Sequence, residues 1–314
     1  MTSTHFTDIL KESSFILAEG SVVEALRRSG KVKLHPELIH CHLIYDDVGR
    51  QELSALYSSY ITVAESSGFP IIVLTPTWRA DREKLSDAGI TKTLNKDSVE
   101  FMKKLRSGFV NWKQNIFIGG CIGPRYDCYD PVEALSVKEG YEFHSWQIGK
   151  LAEAGVDFLI AETIPAVTEA TGIAQAMAKT EIPFFISFVI NRRGRVRDGT
   201  RLEQTFTVID TACNRPPVGY WVNCSHPSFL CMNEQPEAVL SRFYGIQANA
   251  SSLDQSELEG AKSLHMDAIP DWGRQMVELN TKYRVKILGG CCGTGPVHLQ
   301  YIVDHIPRRK DKEI

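Results

Sequence analysis

A recurrence along the chain constrains its fold more than any single motif. Short apolar runs rich in Ile, Val and Phe alternate with longer amphipathic stretches. The runs fall at 15–18, 71–74, 116–118, 156–161, 184–190, 220–222, 243–247 and 285–288. They are too short for helices and lack alternating polar positions. They read as strands buried on both faces, as in a parallel sheet. Helical periodicity occupies 21–28, 51–66, 131–154, 166–179, 202–213, 269–283 and 296–304, the last with a proline at its start. The stretch 34–47 also reads as helical. Eight strands alternating with helices predict a single-domain (β/α)8 barrel over residues 1–314. An open doubly wound sheet is the alternative, disfavoured because no glycine-rich phosphate loop follows any strand.

In such a barrel the active site forms at the C-terminal ends of the strands. Those positions hold Glu19-Gly20, Thr75-Pro76-Thr77, Gly119-Gly120-Cys121, Glu162-Thr163, Asn191, Asn223-Cys224, Asn249 and Gly290-Cys291-Cys292. The chain has eight cysteines, yet 314 residues need no disulfide staples. Cys224 and the adjacent Cys291-Cys292 pair end strands six and eight, which a barrel makes near neighbours. Three thiolates on one rim suit a tetrahedral zinc ion with one position left open, as in catalytic sites. Buried free thiols or a redox pair are the other readings, but the usual Cys-x-x-Cys redox spacing is absent. Cys41, Cys128, Cys213 and Cys231 read as structural, and Cys121 stays unassigned. His226, two residues after Cys224, is a further ligand candidate, although a loop role suits it better. The basic run 192–197 reads as a solvated loop or a carboxylate contact.

A formal charge of −3 argues against nucleic acid or an anionic membrane as the partner. No stretch reaches the ~18 apolar residues of a membrane span. The first residues do not pair a basic segment with a long apolar run. A reducing, cytoplasmic setting is therefore expected.

The segment Gly289-Gly290-Cys291-Cys292-Gly293-Thr294, with Asn223-Cys224 and Ala161-Glu162-Thr163, resembles the homocysteine S-methyltransferases. The likeness runs from about Phe15 to about His305. It implies a (β/α)8 barrel whose catalytic zinc is held by Cys224, Cys291 and Cys292. It implies that Glu19, beside Gly20, and Glu162 hold the amino group of homocysteine. Asn249 matches an Asn near the zinc, and 123–127 matches a loop over the donor side. The sequence departs from the family in three places, one of them a shorter segment between the first helix and the second strand. Glu19 replaces the usual Asp, moving a carboxylate by ~1.5 Å, one carbon–carbon bond. The second strand ends in Thr75-Pro76-Thr77-Trp78 in place of the family's Ser-Tyr sequence.

The implied chemistry is methyl transfer to homocysteine, giving methionine. A free thiol is mostly protonated at neutral pH, whereas the thiolate is the nucleophile. Zinc with three cysteinates keeps the incoming sulfur deprotonated and electron-rich. The expected partners are a small thiol acceptor and a cationic methyl donor, whose charge makes the leaving group neutral. A cation calls for an aromatic or acidic wall, and Trp78, Tyr126, Tyr129 and Trp221 are the candidates. Thr163 stands where betaine users in the family carry an aromatic. That favours a sulfonium donor, S-methylmethionine or S-adenosylmethionine. Folate or cobalamin donors would need further domains. The alternatives are methyl transfer to another small thiol, or a catalytically silent barrel that senses zinc or redox state. Helix capping is the competing role for Glu19 and Glu162.

Overall fold

The computed structural model describes residues 2–90, 93–258 and 265–307. Eight parallel strands close into a barrel in chain order: β1 (Ile16–Ala18), β2 (Ile71–Leu74), β3 (Ile116–Ile122), β4 (Phe158–Ile164), β5 (Phe184–Phe188), β6 (Gly219–Ser225), β7 (Phe243–Ala248) and β8 (Ile287–Gly290). Closure comes from β1, which pairs with β2 through Leu17–Ile71 and with β8 through Leu17–Leu288. The helices are α1 (Thr2–Glu12), α2 (Val23–Ser29), α3 (Asp47–Ser67), α4 (Arg82–Asp87), α5 (Leu94–Gly108), α6 (Val137–Ala154), α7 (Val167–Met177), α8 (Leu202–Ala212), α9 (Glu237–Leu240), α10 (Gln255–Leu258), α11 (Ile269–Thr281) and α12 (Pro296–His305).

Alternation along each strand sorts the apolar side chains into two cores. The outward set packs under the helices: Leu17, Val73, Ile118, Leu159, Ile186, Val222, Ile246 and Leu288. The inward set fills the barrel: Ile16, Ile72, Phe117, Phe158, Phe185, Trp221 and Ile287. Helix α1 joins this inner set, burying Phe6 and Leu10. Phe6 stacks on Phe158 with ring centroids 4.6 Å apart. The interior is thus a packed plug and not a pore.

Three expectations need correction. Residues 34–46 form turns and a 3-10 helix, Cys41–Tyr45, because Pro36 and the antiparallel His35–Ile39 bridge interrupt an α-helix there. The expected helix 131–154 starts only at Val137. Ser136 caps it, with Glu139 Oε2 accepting the Ser136 N–H in return, and the preceding residues form a loop. Helix α5 and the N-terminal plug α1 lie where no helix was expected.

Strands β3, β4 and β6 run further than their apolar stretches, because β3 continues through two glycines and Cys121, and β4 and β6 through polar residues of the site. Two of these ends are irregular. The β4–β5 register shifts between Ala161 and Ile164, and the β6–β7 register between Asn223 and Ser225. Thr163 and Cys224 occupy the left-handed region there, with φ of 57° and 50°. Such bulges break the two-residue alternation and re-aim a side chain.

Candidate active site

A cavity of about 1060 Å³ opens at the C-terminal ends of the strands. Cys224, Cys291 and Cys292 meet on its wall, with their Sγ atoms within 4.8 Å of one another. The local backbone explains the convergence. The bulge at Cys224 turns that side chain, which strict alternation would send outward, toward β8. After β8, the Cys291 N–H donates to the Ala248 carbonyl at 2.7 Å, and the Cys292 N–H to Asn249 Oδ1 at 3.1 Å. Gly293 takes φ +83°, which a side chain would strain. Gly289 has a different reason to be glycine: a Cβ there would lie 2.7 Å from Ala18 Cβ.

Hydrogen bonding to Cys291 pushes the Cys224 thiol up, while hydrogen bonds from Cys224 and Cys291 pull Cys292 down. One thiolate is thus stabilised by two neighbouring thiols. All three can ionise together only around a cation. Their donor type, number and spacing fit a thiophilic divalent ion such as zinc, with Asn223 Nδ2 supporting Cys224 Sγ at 3.8 Å.

Two acids, at the ends of β1 and β4, also line the cavity. Glu19 is buried, and its Oε2 accepts the Leu74 N–H at 2.8 Å. Burial drives its carboxyl well above the usual range, and the charge of Glu162 adds to the effect. Glu162 is half-buried, and its Oε2 accepts from Cys121 Sγ at 3.7 Å. Its Oε1 is cut off from solvent with no partner among the described residues. Burial raises Glu162 to about 7. The Cys121 thiol is itself pushed up by burial and the two acids, so it stays a donor. Gly20 follows Glu19 because a Cβ there would meet the Tyr60 ring at 2.8 Å.

Aromatic residues line the cavity as well. Trp78 Nε1 donates to Thr163 Oγ1 at 2.9 Å, fixing the indole against β4. Tyr126, Cys128 and Tyr129 reach the cavity from the loop between β3 and α6. Burial, and then the charge of Cys224 and Cys292, raises the Tyr129 phenol. Arg197 Nε donates to the Tyr129 carbonyl at 3.0 Å.

The cavity therefore gathers Glu19, Gly20, Trp78, Tyr126, Tyr129, Glu162, Cys224, Asn249, Cys291 and Cys292. Trp221 is the exception and a correction. It is fully buried inside the barrel, 5.3 Å from Phe185 by ring centroids, and does not reach the donor side. On β6 it shares a face with Asn223, one layer deeper. Asn249 lines the cavity but spends its Oδ1 on the Cys292 amide. His226 turns to Ser228 and Asp267, away from the sulfurs. Arg192 pairs with Asp254 and Glu257. Cys128, read as structural, borders the cavity.

Sequence reading gave Asn223 no role beyond its place beside Cys224, and it missed Gln247. Asn223 Oδ1 accepts from the Thr163 amide at 2.8 Å and Ser187 Oγ at 2.7 Å, tying the two bulges together. Gln247, buried with no partner for its Oε1 among the described residues, lines the cavity. It stands two residues before Asn249, a spacing that marks one face of a strand.

Comparison with known proteins gives concordant matches. The family model described as homocysteine S-methyltransferase matches residues 16–306. Homocysteine S-methyltransferase 1 of Arabidopsis thaliana is 27% identical over 185 residues, 56% of this chain and 54% of that protein. Homocysteine S-methyltransferase of Escherichia coli is 24% identical over 328 residues, 93% of this chain and 95% of its own length. The metallated form of the E. coli homocysteine methyltransferase MmuM superposes with a TM-score of 0.71 at 19% identity, covering 96% of this chain and 99% of that one. This last likeness is one of fold.

Proposed function

The chain belongs to the homocysteine S-methyltransferase family, and from that premise we propose that it is a zinc-dependent enzyme transferring a methyl group from a sulfonium donor, S-methylmethionine or S-adenosylmethionine, to homocysteine. One observation carries the reading: three sulfurs from β6 and the end of β8 converge on a cavity lined also by acids and aromatics. The solved form of MmuM described as metallated supports a metal here.

Zinc held by Cys224, Cys291 and Cys292 would supply a Lewis acid that keeps the acceptor thiol deprotonated. The rest falls to the chain. Glu162, and Glu19 beside it, bind the acceptor's amino group. An arriving ammonium supplies donors to the unpartnered Glu162 Oε1 and draws the carboxyl toward its charged form. Trp78 and Tyr129 face the donor's cationic sulfur, an arrangement suited to a sulfonium. Thr163, bonded to Trp78, leaves no aromatic at the position betaine users fill. The acceptor sulfur forms a bond to the methyl carbon as the donor's carbon–sulfur bond breaks. The thiol proton goes to solvent, and the donor leaves as a neutral thioether. Holding the three atoms in line supplies much of the acceleration.

A screen of methyl donors against thiol acceptors tests this. Zinc-loaded protein is expected to form methionine from homocysteine with a sulfonium donor. Failure of every sulfonium to methylate homocysteine, with one zinc bound per chain, overturns the proposal.

A further inference from the structure

Two buried side chains with no part in the chemistry above hold the loop that carries the aromatic wall. Glu169, in the first turn of α7, and His144, on α6, are each 1% exposed. His144 Nε2 and Glu169 Oε1 lie 2.9 Å apart. His144 Nε2 donates its N–H to the carboxylate, while Nδ1 has no partner among the described residues. The same Oε1 accepts the Arg125 N–H at 3.0 Å, and Oε2 accepts the Leu135 N–H at 3.4 Å. One carboxylate thus grips both ends of the segment that brings Tyr126, Cys128 and Tyr129 to the cavity.

Burying a carboxylate is costly unless donors surround it. Desolvation pushes Glu169 up, but His144 and the two amides outweigh it and hold the carboxyl below its ordinary value. The positive end of α7 favours the same charge. Helix packing does not call for it. Helices α6 and α7 already approach through Gly172, where a Cβ would lie 2.3 Å from the Val137 carbonyl oxygen. The amides that the carboxylate satisfies belong to the loop. Ties from Arg79 and Lys84 to the Arg125 carbonyl, from Glu83 to the Arg125 guanidinium, and from Arg197 to the Tyr129 carbonyl each hold the loop at a single residue.

We propose that Glu169, oriented by His144, is a positioning residue that sets the loop 125–135 over the donor side of the site and so governs donor affinity. The donor role of that loop rests on the proposed function; the grip itself does not. The test is Glu169→Gln, which keeps the shape but turns an NH2 group toward a backbone N–H.

In zinc-loaded Glu169→Gln, amides of 126–134 are expected to exchange about tenfold faster, the scale of one charged hydrogen bond. Barrel-strand amides should be unaffected. The donor KM should rise about tenfold, with acceptor KM and metal content unchanged and kcat altered less than about threefold. His144→Gln, which restores an N–H donor, should stay near wild type, while His144→Leu should follow Glu169→Gln. Unchanged exchange in 126–134, or acceleration spread evenly over the barrel, overturns the grip. Equal changes in donor and acceptor KM overturn the donor role. Should Glu169→Gln fail to fold, Glu169→Asp, whose shorter side chain cannot span both amides, is read the same way. Were no methyl transfer found in wild type, the exchange arm would still decide the grip, and only the proposed function would fall.

Discussion

The Glu162 carboxyl makes a prediction that separates stability from function. Burial lifts it from an ordinary 4.5 to about 7. At about 1.4 kcal/mol per pH unit, that is worth about 3 kcal/mol between its two protonation states. The folded-state value lies above the unfolded one, and the group is an acid. Below pH 4.5 both states hold the proton and nothing is lost. Between 4.5 and 7 the unfolded chain releases its proton first, so stability falls as pH rises. Above 7 the full cost is present. Glu162→Gln keeps the shape and removes the charge. It should therefore be more stable than wild type, by about 2.5 kcal/mol more at pH 8 than at pH 5. Parallel urea unfolding of the two proteins at both pH values reads this difference directly. The same variant should raise the acceptor KM at least about tenfold, because a neutral amide is a poor partner for an ammonium. A stability difference that does not grow with pH, or grows the other way, refutes the reasoning that Glu162 is held neutral by burial. A gain in stability with unchanged acceptor KM would leave burial intact and remove Glu162 from the acceptor site.

The remaining predictions concern the metal and the packed interior. Cys292→Ala should lose zinc, by metal analysis, and at least about a hundredfold in kcat/KM, since even outer-shell changes cost ~10–100-fold. Its unfolding free energy without metal should stay within about 0.5 kcal/mol of metal-free wild type, because Cys292 is exposed. Phe6→Ala, which empties the bottom of the barrel, should cost about 3–5 kcal/mol in urea unfolding and leave donor and acceptor KM unchanged. Trp221→Phe removes a buried N–H that has no partner among the described residues, so lost volume and relieved desolvation oppose each other. The net change should stay below about 1.5 kcal/mol, and the donor KM should not move.

What the sequence revealed follows from where apolar residues dominate. The eight strands were legible because each is a hydrophobic run, and the three metal-binding candidates because adjacent cysteines between glycines have few other uses. What it hid lies where polar side chains or single residues decide. Among the residues of helix α1 whose side chains are described, only Phe6 and Leu10 are buried, too few to register as a period. Trp221 looked like a rim aromatic because its strand seemed to end at Val222. Once β6 extends to Ser225, the layer of Trp221 falls inside the plug and that of Asn223 at the cavity floor. The aim of Cys224 was least accessible of all. Alternation from Trp221 and Asn223 sends it outward, and only the bulge, with φ of 50°, brings it round to Cys291 and Cys292. Asn223 supports that bulge on one side and the one at Thr163 on the other. The sulfur cluster and the bend beside Glu162 therefore share one side chain. Disturbing the backbone at either strand end should be felt by the metal and the acid together, although no contact between them is drawn in the sequence.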